Sequence, residues 1–275
     1  MPIDHHLKPA DDTVRHAFTP EDASWRYLGY QAVALRAGES YTVSTEGVEA
    51  ALVPLSGRAN VAAAGESFEL ERSSVFAEKP HILYLPPGHT AEVVAERAFE
   101  FALGTAPAEG RYPLRLFKPE EMRVEVRGGG PARREVHHVL SHPLPAERLI
   151  LFEVYVPGGM WSGWPPHRHD RGLESPYLEE TYHFKFDAPQ GFGLHRNYAE
   201  DGWSEAFAVQ DGDLVLVTRG YHPVAASPGS TMYFLNFLAG ELLNDERGRP
   251  PVDDPEHAWL KDDWGAYDVT LPLME

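Results

Sequence analysis

Glu179-Glu180-Thr181-Tyr182-His183-Phe184-Lys185-Phe186 alternates, from Thr181 onward, between polar and apolar side chains. A period of two is that of a half-buried strand, whose successive side chains point to opposite faces. Tyr182, Phe184 and Phe186 form the apolar set and face inward, and Glu180 shares their parity. Glu179, Thr181, His183 and Lys185 take the other face, so His183 is read as structural. A carboxylate aimed into an apolar interior is costly unless it is paired or holds a metal. Glu180 therefore stands out before anything else is known of the chain.

The same pattern continues outward. Pro189-Gln190-Gly191 is a turn, and residues 192–198 alternate again, with Phe192, Leu194, Arg196 and Tyr198 on one parity that is expected to face inward. Further strands are predicted at 48–55, 67–70, 82–85, 98–103, 123–127, 149–156, 214–217 and 232–238, and one short helical turn at 256–261. Glycine and proline occur 24 times each, spread along the chain, which is the punctuation of many short strands. The fold class is all-β. Gly128-Gly129-Gly130-Pro131 is the best linker, giving units at 1–130 and 131–275. A weak echo supports two similar barrels: 83–89 and 216–222 each run from an apolar strand through a glycine turn to a histidine.

Composition narrows the function. At 275 residues the chain is long enough for one large domain or two modest ones. A net charge of -18 argues against nucleic acid or an anionic membrane as partner. Cysteine is absent, which excludes disulfide scaffolds, thiolate nucleophiles and cysteine-based metal sites. No apolar run is long enough for a membrane span, and the first residues lack the apolar core of a secretory signal. A cytoplasmic protein is the expectation. No phosphate loop, nucleophile elbow or dinucleotide fingerprint is present.

Metal chemistry would have to use histidine. Pro165-Pro166-His167-Arg168-His169-Asp170 contains a His-x-His pair, and in a strand both imidazoles point the same way. Downstream come Glu180 and then Arg219-Gly220-Tyr221-His222. Three imidazoles and one carboxylate suit Zn, Mn, Fe(II), Co or Ni. The bland alternative makes His167 and His169 a solvated loop, pairs Glu180 with a basic residue and has His222 cap a turn. Spacing alone leaves both open.

These motifs resemble the two sequence motifs of the cupin superfamily, which implies small β-barrels of the jelly-roll type. The cupin pattern places its carboxylate closer to the second histidine, where Glu174 stands. Glu180 is preferred on parity, with Glu174 as the alternative. Across residues 157–224 the chain is more closely similar to the family of 5-deoxy-glucuronate isomerases of myo-inositol catabolism. The similarity is carried by Trp161-Ser162, Pro165 to Asp170, Tyr177 to Tyr182, Pro189-Gln190-Gly191-Phe192, Asp211-Gly212-Asp213 and Arg219 to Val224. Asp254 to Trp259 extends it, and 41–44 and 84–88 match loosely. His195 departs from the family, which more often carries glutamine there.

The resemblance implies a bicupin in which only the second barrel, with a short C-terminal extension, keeps a site. The first half has no His-x-His, so His89 is read as a surface or packing residue. It also implies an aldose–ketose isomerase, an intramolecular oxidoreductase converting 5-deoxy-D-glucuronate to 5-dehydro-2-deoxy-D-gluconate. His167, His169, Glu180 and His222 would hold the divalent ion, zinc first among the candidates. Tyr182, Glu174 and His195 are candidates to move the proton. Arg196 is the candidate for the substrate carboxylate and Gln190 for its hydroxyls. Three alternatives remain: a 5-dehydro-4-deoxyuronate isomerase, a non-catalytic sugar-acid-binding cupin and an Fe(II) dioxygenase. The partner is a small sugar acid in each isomerase reading, and a homo-oligomer is allowed.

Overall fold

The computed structural model describes residues 3–265. The expected strands form, and several grow: 48–55 becomes Val48–Ala63, 98–103 becomes Thr90–Pro107 and 232–238 becomes Met232–Gly240. Ile82–Leu85, Arg123–Arg127 and Leu214–Val217 have the expected ends, and the short turn near 258 is a 3-10 turn at Ala258–Lys261. Val14–Phe18, Gly29–Leu35, Arg134–Leu140 and Ser204–Val209 are additional. The C-terminal extension beyond residue 265 lies outside the described residues.

The first half is one eight-stranded sheet wrapped on itself, ordered Val14–Phe18, Gly29–Leu35, Thr90–Pro107, Val48–Ala63, Ile82–Leu85, Arg115–Phe117. Ser40–Ser44 adds to Thr90–Pro107, and Glu66–Arg72 adds to Val48–Ala63. The two longest strands serve both layers by bending. Their pairing slips between Pro54 and Ser56 and between Gly57 and Ala59, the mark of a bulge that turns a strand. Gly57 is required at that bend: its φ is +91°, and a Cβ there would lie 1.7 Å from the Ala98 carbonyl oxygen.

The second half is a sandwich of two sheets. The larger is ordered His6–Leu7, Leu214–Val217, Leu178–Phe186, Met232–Gly240, Ile150–Val156, Arg134–Leu140, Arg123–Arg127. The smaller is ordered Trp161–Ser162, Val224–Ala226, Gly193–Tyr198, Ser204–Val209. Arg123–Arg127 thus pairs with the second half although it precedes the glycine run, and His6–Leu7 does so too. By pairing, the chain changes sheet between Phe117 and Arg123 rather than at residue 130.

Three large apolar cores result among the described residues. Val33, Leu52, Val61, Leu83, Val93 and Phe101 belong to the core inside the first barrel. Val154, Tyr182, Phe184, Val217 and Phe234 belong to the second lumen. The largest lies between the barrels and joins Trp25, Leu28, Tyr30 and Val53 to Leu151, Leu214, Tyr233 and Phe237. Buried polar ties cross the same seam. Glu153 takes two hydrogen bonds from Arg72, at 2.6 and 3.0 Å, both residues being buried. Glu49 accepts the backbone N–H groups of Glu147, Arg148 and Leu149. Glu179 accepts those of Arg26, Tyr27 and Leu28.

Candidate metal centre

Leu178–Phe186 carries the site because its two faces have different neighbours. Glu179, Thr181 and His183 face the first barrel, where Tyr30 hydroxyl and His183 Nδ1 are 2.6 Å apart. Glu180 and Tyr182 face the lumen, as the alternation requires. A cavity of about 670 Å³ opens there, lined among others by His167, His169, Glu180, Tyr182, Asn236 and Arg134.

His169, Glu180 and His222, all buried, bring one potential ligand atom each within 4.8 Å of one another. His169 Nε2 is 2.8 Å from Glu180 Oε2, and His222 Nε2 is 3.2 Å from the same oxygen. The other nitrogen of each ring faces a backbone carbonyl: His169 Nδ1 lies 2.8 Å from the Leu178 oxygen and His222 Nδ1 3.2 Å from the Gly220 oxygen. A carbonyl only accepts, so both rings carry a proton on Nδ1 and turn Nε2 toward the carboxylate. His222 Nε2 is buried without a well-formed hydrogen bond. Two imidazole lone pairs converging on one carboxylate is the donor set a divalent ion needs, and the backbone carbonyls supply the outer support such ligands use. The residues fit a metal.

His167 stands beside this group. Its ring centre is 4.7 Å from that of His222 and 6.5 Å from that of His169, but it is outside the three-residue cluster. Burial, then the neighbouring His222, holds its pKa well below 6.5 and leaves it a neutral imidazole. Burial opposes charge on His169 as well, but the Glu180 hydrogen bond and charge outweigh it and raise the pKa. For Glu180 burial favours the neutral acid, while His169 and His222 together keep its pKa well below the usual carboxylate range.

Of the residues expected to move a proton, Tyr182 alone lines the cavity. Burial and the charge of Glu180 push its phenol well above 10, so it stays protonated. His195 is fully buried behind it, with rings 4.8 Å apart. Its Nε2 meets Asn197 Oδ1 at 2.9 Å and its Nδ1 has no hydrogen-bond partner among the described residues. Burial, then His222, pushes its pKa down to about 3. Glu174 is exposed on the 3-10 turn Gly172–Glu174 and is not among the cavity-lining residues, so neither its ligand role nor its proton role has a geometric basis.

Both expected substrate contacts also fall elsewhere. Gly193–Tyr198 buries Gly193, His195 and Asn197 and exposes Leu194 and Arg196, the reverse of the expected parity. The cause is close packing. A Cβ on Gly193 would lie 2.7 Å from Met232 Sδ, so the lumen-facing row begins with a position that takes no side chain. Arg196 instead lies over the Tyr198 ring and donates to Ser204 Oγ at 3.2 Å. Gln190 is exposed in the turn beyond Phe186, at the opposite end of the strand from Glu180.

Sequence reasoning missed Asn236, His138 and Arg134, which all line the cavity. Asn236 pairs with Tyr182 across the sheet, and its amide contacts the phenol. His138 lies between Ser141 Oγ and Glu125 Oε1, each at 2.9 Å. No sequence signal marked them; the strand Arg123–Arg127 beside them is inverted as well, with Val124 and Val126 45% and 64% exposed and Arg123 and Arg127 lining the cavity.

Comparison with known proteins places these features. Residues 4–260 match the KduI/IolB family. A 5-deoxy-glucuronate isomerase of Geobacillus kaustophilus is 40% identical over 88% of this chain and 88% of its own. One from Bacillus subtilis is 34% identical over 89% and 92%. The crystal structure of an IolB-like protein of Salmonella typhimurium superposes with a TM-score of 0.89 at 38% identity, covering 94% of this chain and 99% of that one. Lactobacillus farciminis oxalate decarboxylase, at 12% identity and a TM-score of 0.63, shares the fold alone.

Proposed function

The chain belongs to the KduI/IolB family, and from that premise we propose that it is a metal-dependent aldose–ketose isomerase converting 5-deoxy-D-glucuronate to 5-dehydro-2-deoxy-D-gluconate in myo-inositol catabolism. The observation that carries the reading is the convergence of His169, Glu180 and His222 on one point of a hollow lumen. His167 completes the ligand set in this reading, from the strand edge beside His222. Zinc is the first candidate, with Mn, Fe, Co and Ni as alternatives.

The reaction moves the C2 proton to C1 and the hydroxyl proton of O2 to O1, so it balances with no external oxidant or reductant. A divalent ion supplies Lewis acidity toward the two vicinal oxygens on which negative charge builds. Tyr182, kept protonated by burial, donates a hydrogen bond to one of those oxygens, and Asn236 fixes the phenol from across the sheet. Val154 and Phe234 form the apolar floor and exclude water.

We further divide the chain into a first barrel with no site and a second that bears it, and place the protein in the cytoplasm. The apolar filling of the first lumen supports the division. Among the described residues no helix is long and apolar enough to cross a membrane.

The test is metal analysis of the purified protein beside an assay on 5-deoxy-D-glucuronate, before and after chelation, repeated for His169→Ala. Ketose formation that depends on the ion and on His169 supports the reading. Full turnover by metal-free protein overturns it.

A further inference from the structure

The proposed substrate is an anion, yet the protein carries a net charge of -18 and the arginine expected to bind the carboxylate is exposed on the outer face. The lumen holds another. Arg134 lines the same cavity as Glu180 and Tyr182, and among the described residues its hydrogen-bond partners are two carbonyl oxygens, those of Ala132 and Trp164, each 3.2 Å from Nη1. Its Nε is buried with no hydrogen-bond partner among the described residues.

The other basic groups lining the cavity are occupied or at the surface. Arg123 and Arg127 are held by Glu125 and His138. Arg247 donates to the carbonyls of Leu149, Asn244 and Leu144. Lys261 pairs with Asp253, and Arg249 is exposed. Of the acids, Glu180 is engaged by His169 and His222.

A half-buried guanidinium with no carboxylate in hydrogen-bond reach among the described residues is costly, and Glu125 and Asp253 act on it only from a distance. The cost here is visible, because burial, then the neighbouring Arg127, pushes the pKa of Arg134 down to about 10. The backbone is shaped around the group. A Cβ on Gly128 would lie 2.8 Å from Arg134 Nη1 and 2.3 Å from the Ala132 oxygen, and Gly128 has φ +73°. Gly128 therefore cradles this arginine, in a connection between two paired strands of one sheet and not at the change of sheet. Through the Trp164 carbonyl the guanidinium also touches the loop that leads into His167.

We propose that Arg134 is the subsite that receives the substrate's carboxylate and makes the site prefer a sugar acid to a neutral sugar. The inference rests on the isomerase reading above. The carboxylate takes the free edge of the guanidinium as a two-pronged acceptor, which puts the opposite, reacting end of the sugar toward His169, Glu180 and His222. Arg134 is a positioning and specificity residue and takes no part in proton transfer.

The experiment compares kcat/KM for 5-deoxy-D-glucuronate and its carboxamide in metal-loaded wild type, Arg134→Gln, Arg134→Lys and Arg249→Gln, with metal content measured for each. Wild type should favour the acid by roughly 10–100-fold, the range of a hydrogen-bonded charge. Arg134→Gln should bring the ratio close to one, mainly through KM, with the metal retained. Arg134→Lys should keep part of the preference, and it carries the test if the glutamine variant does not fold. A general disturbance of the site would slow both substrates alike and leave the ratio unchanged. A wild-type ratio retained in both Arg134 variants, or an equal loss in Arg249→Gln, overturns the assignment while the isomerase reading stands. If metal-loaded wild type isomerises neither compound, that reading fails and this one with it.

Discussion

Glu180 is the acid at the centre of the candidate site, and its two imidazole partners determine how much a substitution there costs. Removing a ligand should cost more than the 10–100-fold typical of a group that only supports one. Glu180→Gln and His169→Ala should each lower turnover of 5-deoxy-D-glucuronate by more than about 100-fold and lose bound metal on dialysis. Glu174→Gln and Arg196→Ala, both at exposed positions, should stay within about twofold of wild type, since surface changes rarely do more. A large loss in either would mean that the outer face takes part. That Glu180 faces the lumen was legible from parity alone, because Tyr182, Phe184 and Phe186 state which side of the strand is inside. The same logic misplaced Arg196. It assumed that apolar residues mark the lumen, whereas Leu194 is 53% exposed and the inner row is Gly193, His195 and Asn197.

Leu178–Phe186 works as an element because neither of its faces meets solvent. Periodicity tells the two faces apart, but nothing in it says that the polar one packs against a second barrel. Glu179 reads as an outward charge, and it is buried with three backbone N–H groups of residues 26–28 on its carboxylate. Glu179→Ala should lower stability by about 2–4 kcal/mol, from several orphaned donors, and chemical denaturation would measure it. Gly29–Leu35, apolar except for Gln31, was missed for a related reason: a strand covered on both sides shows no alternation. The same seam is sensitive to acid. Burial is the main cause that holds His16 and His183 below 6.5 in the fold. The unfolded chain protonates both near pH 6.5. Below that pH the unfolded state binds more protons, so stability present above it is lost as pH falls. The melting temperature should drop between about pH 7 and 5.5, and His183→Gln should flatten the slope while lowering the plateau. An unchanged slope in that variant would remove His183 as a cause.

At the scale of the whole molecule, the two barrels differ in what fills them. The first is packed with valine, leucine and phenylalanine, and the second is hollow around its acid and imidazoles. Metal analysis should therefore find one equivalent of ion per chain, and a value near two would place a second site where the structure has side chains. Chelation should lower the melting temperature as well as activity, since a ligand that binds only the folded state stabilises it by mass action. The doubled barrel was legible as an echo of strand, turn and histidine. The cradle of Arg134 was not, since three glycines in a row read as slack rather than as a close approach.

The strand His6–Leu7 completes the far sheet, and just beside it the Leu216 N–H donates to the His5 carbonyl at 2.9 Å, an ordinary ladder bond. The chain thus lends an edge to the barrel that bears the site, leaves to build the one that does not, and returns. Such a path cannot be cut into two transferable cassettes. Exchange of one half with a relative's would carry away an edge strand belonging to the other, so the two have to be redesigned together.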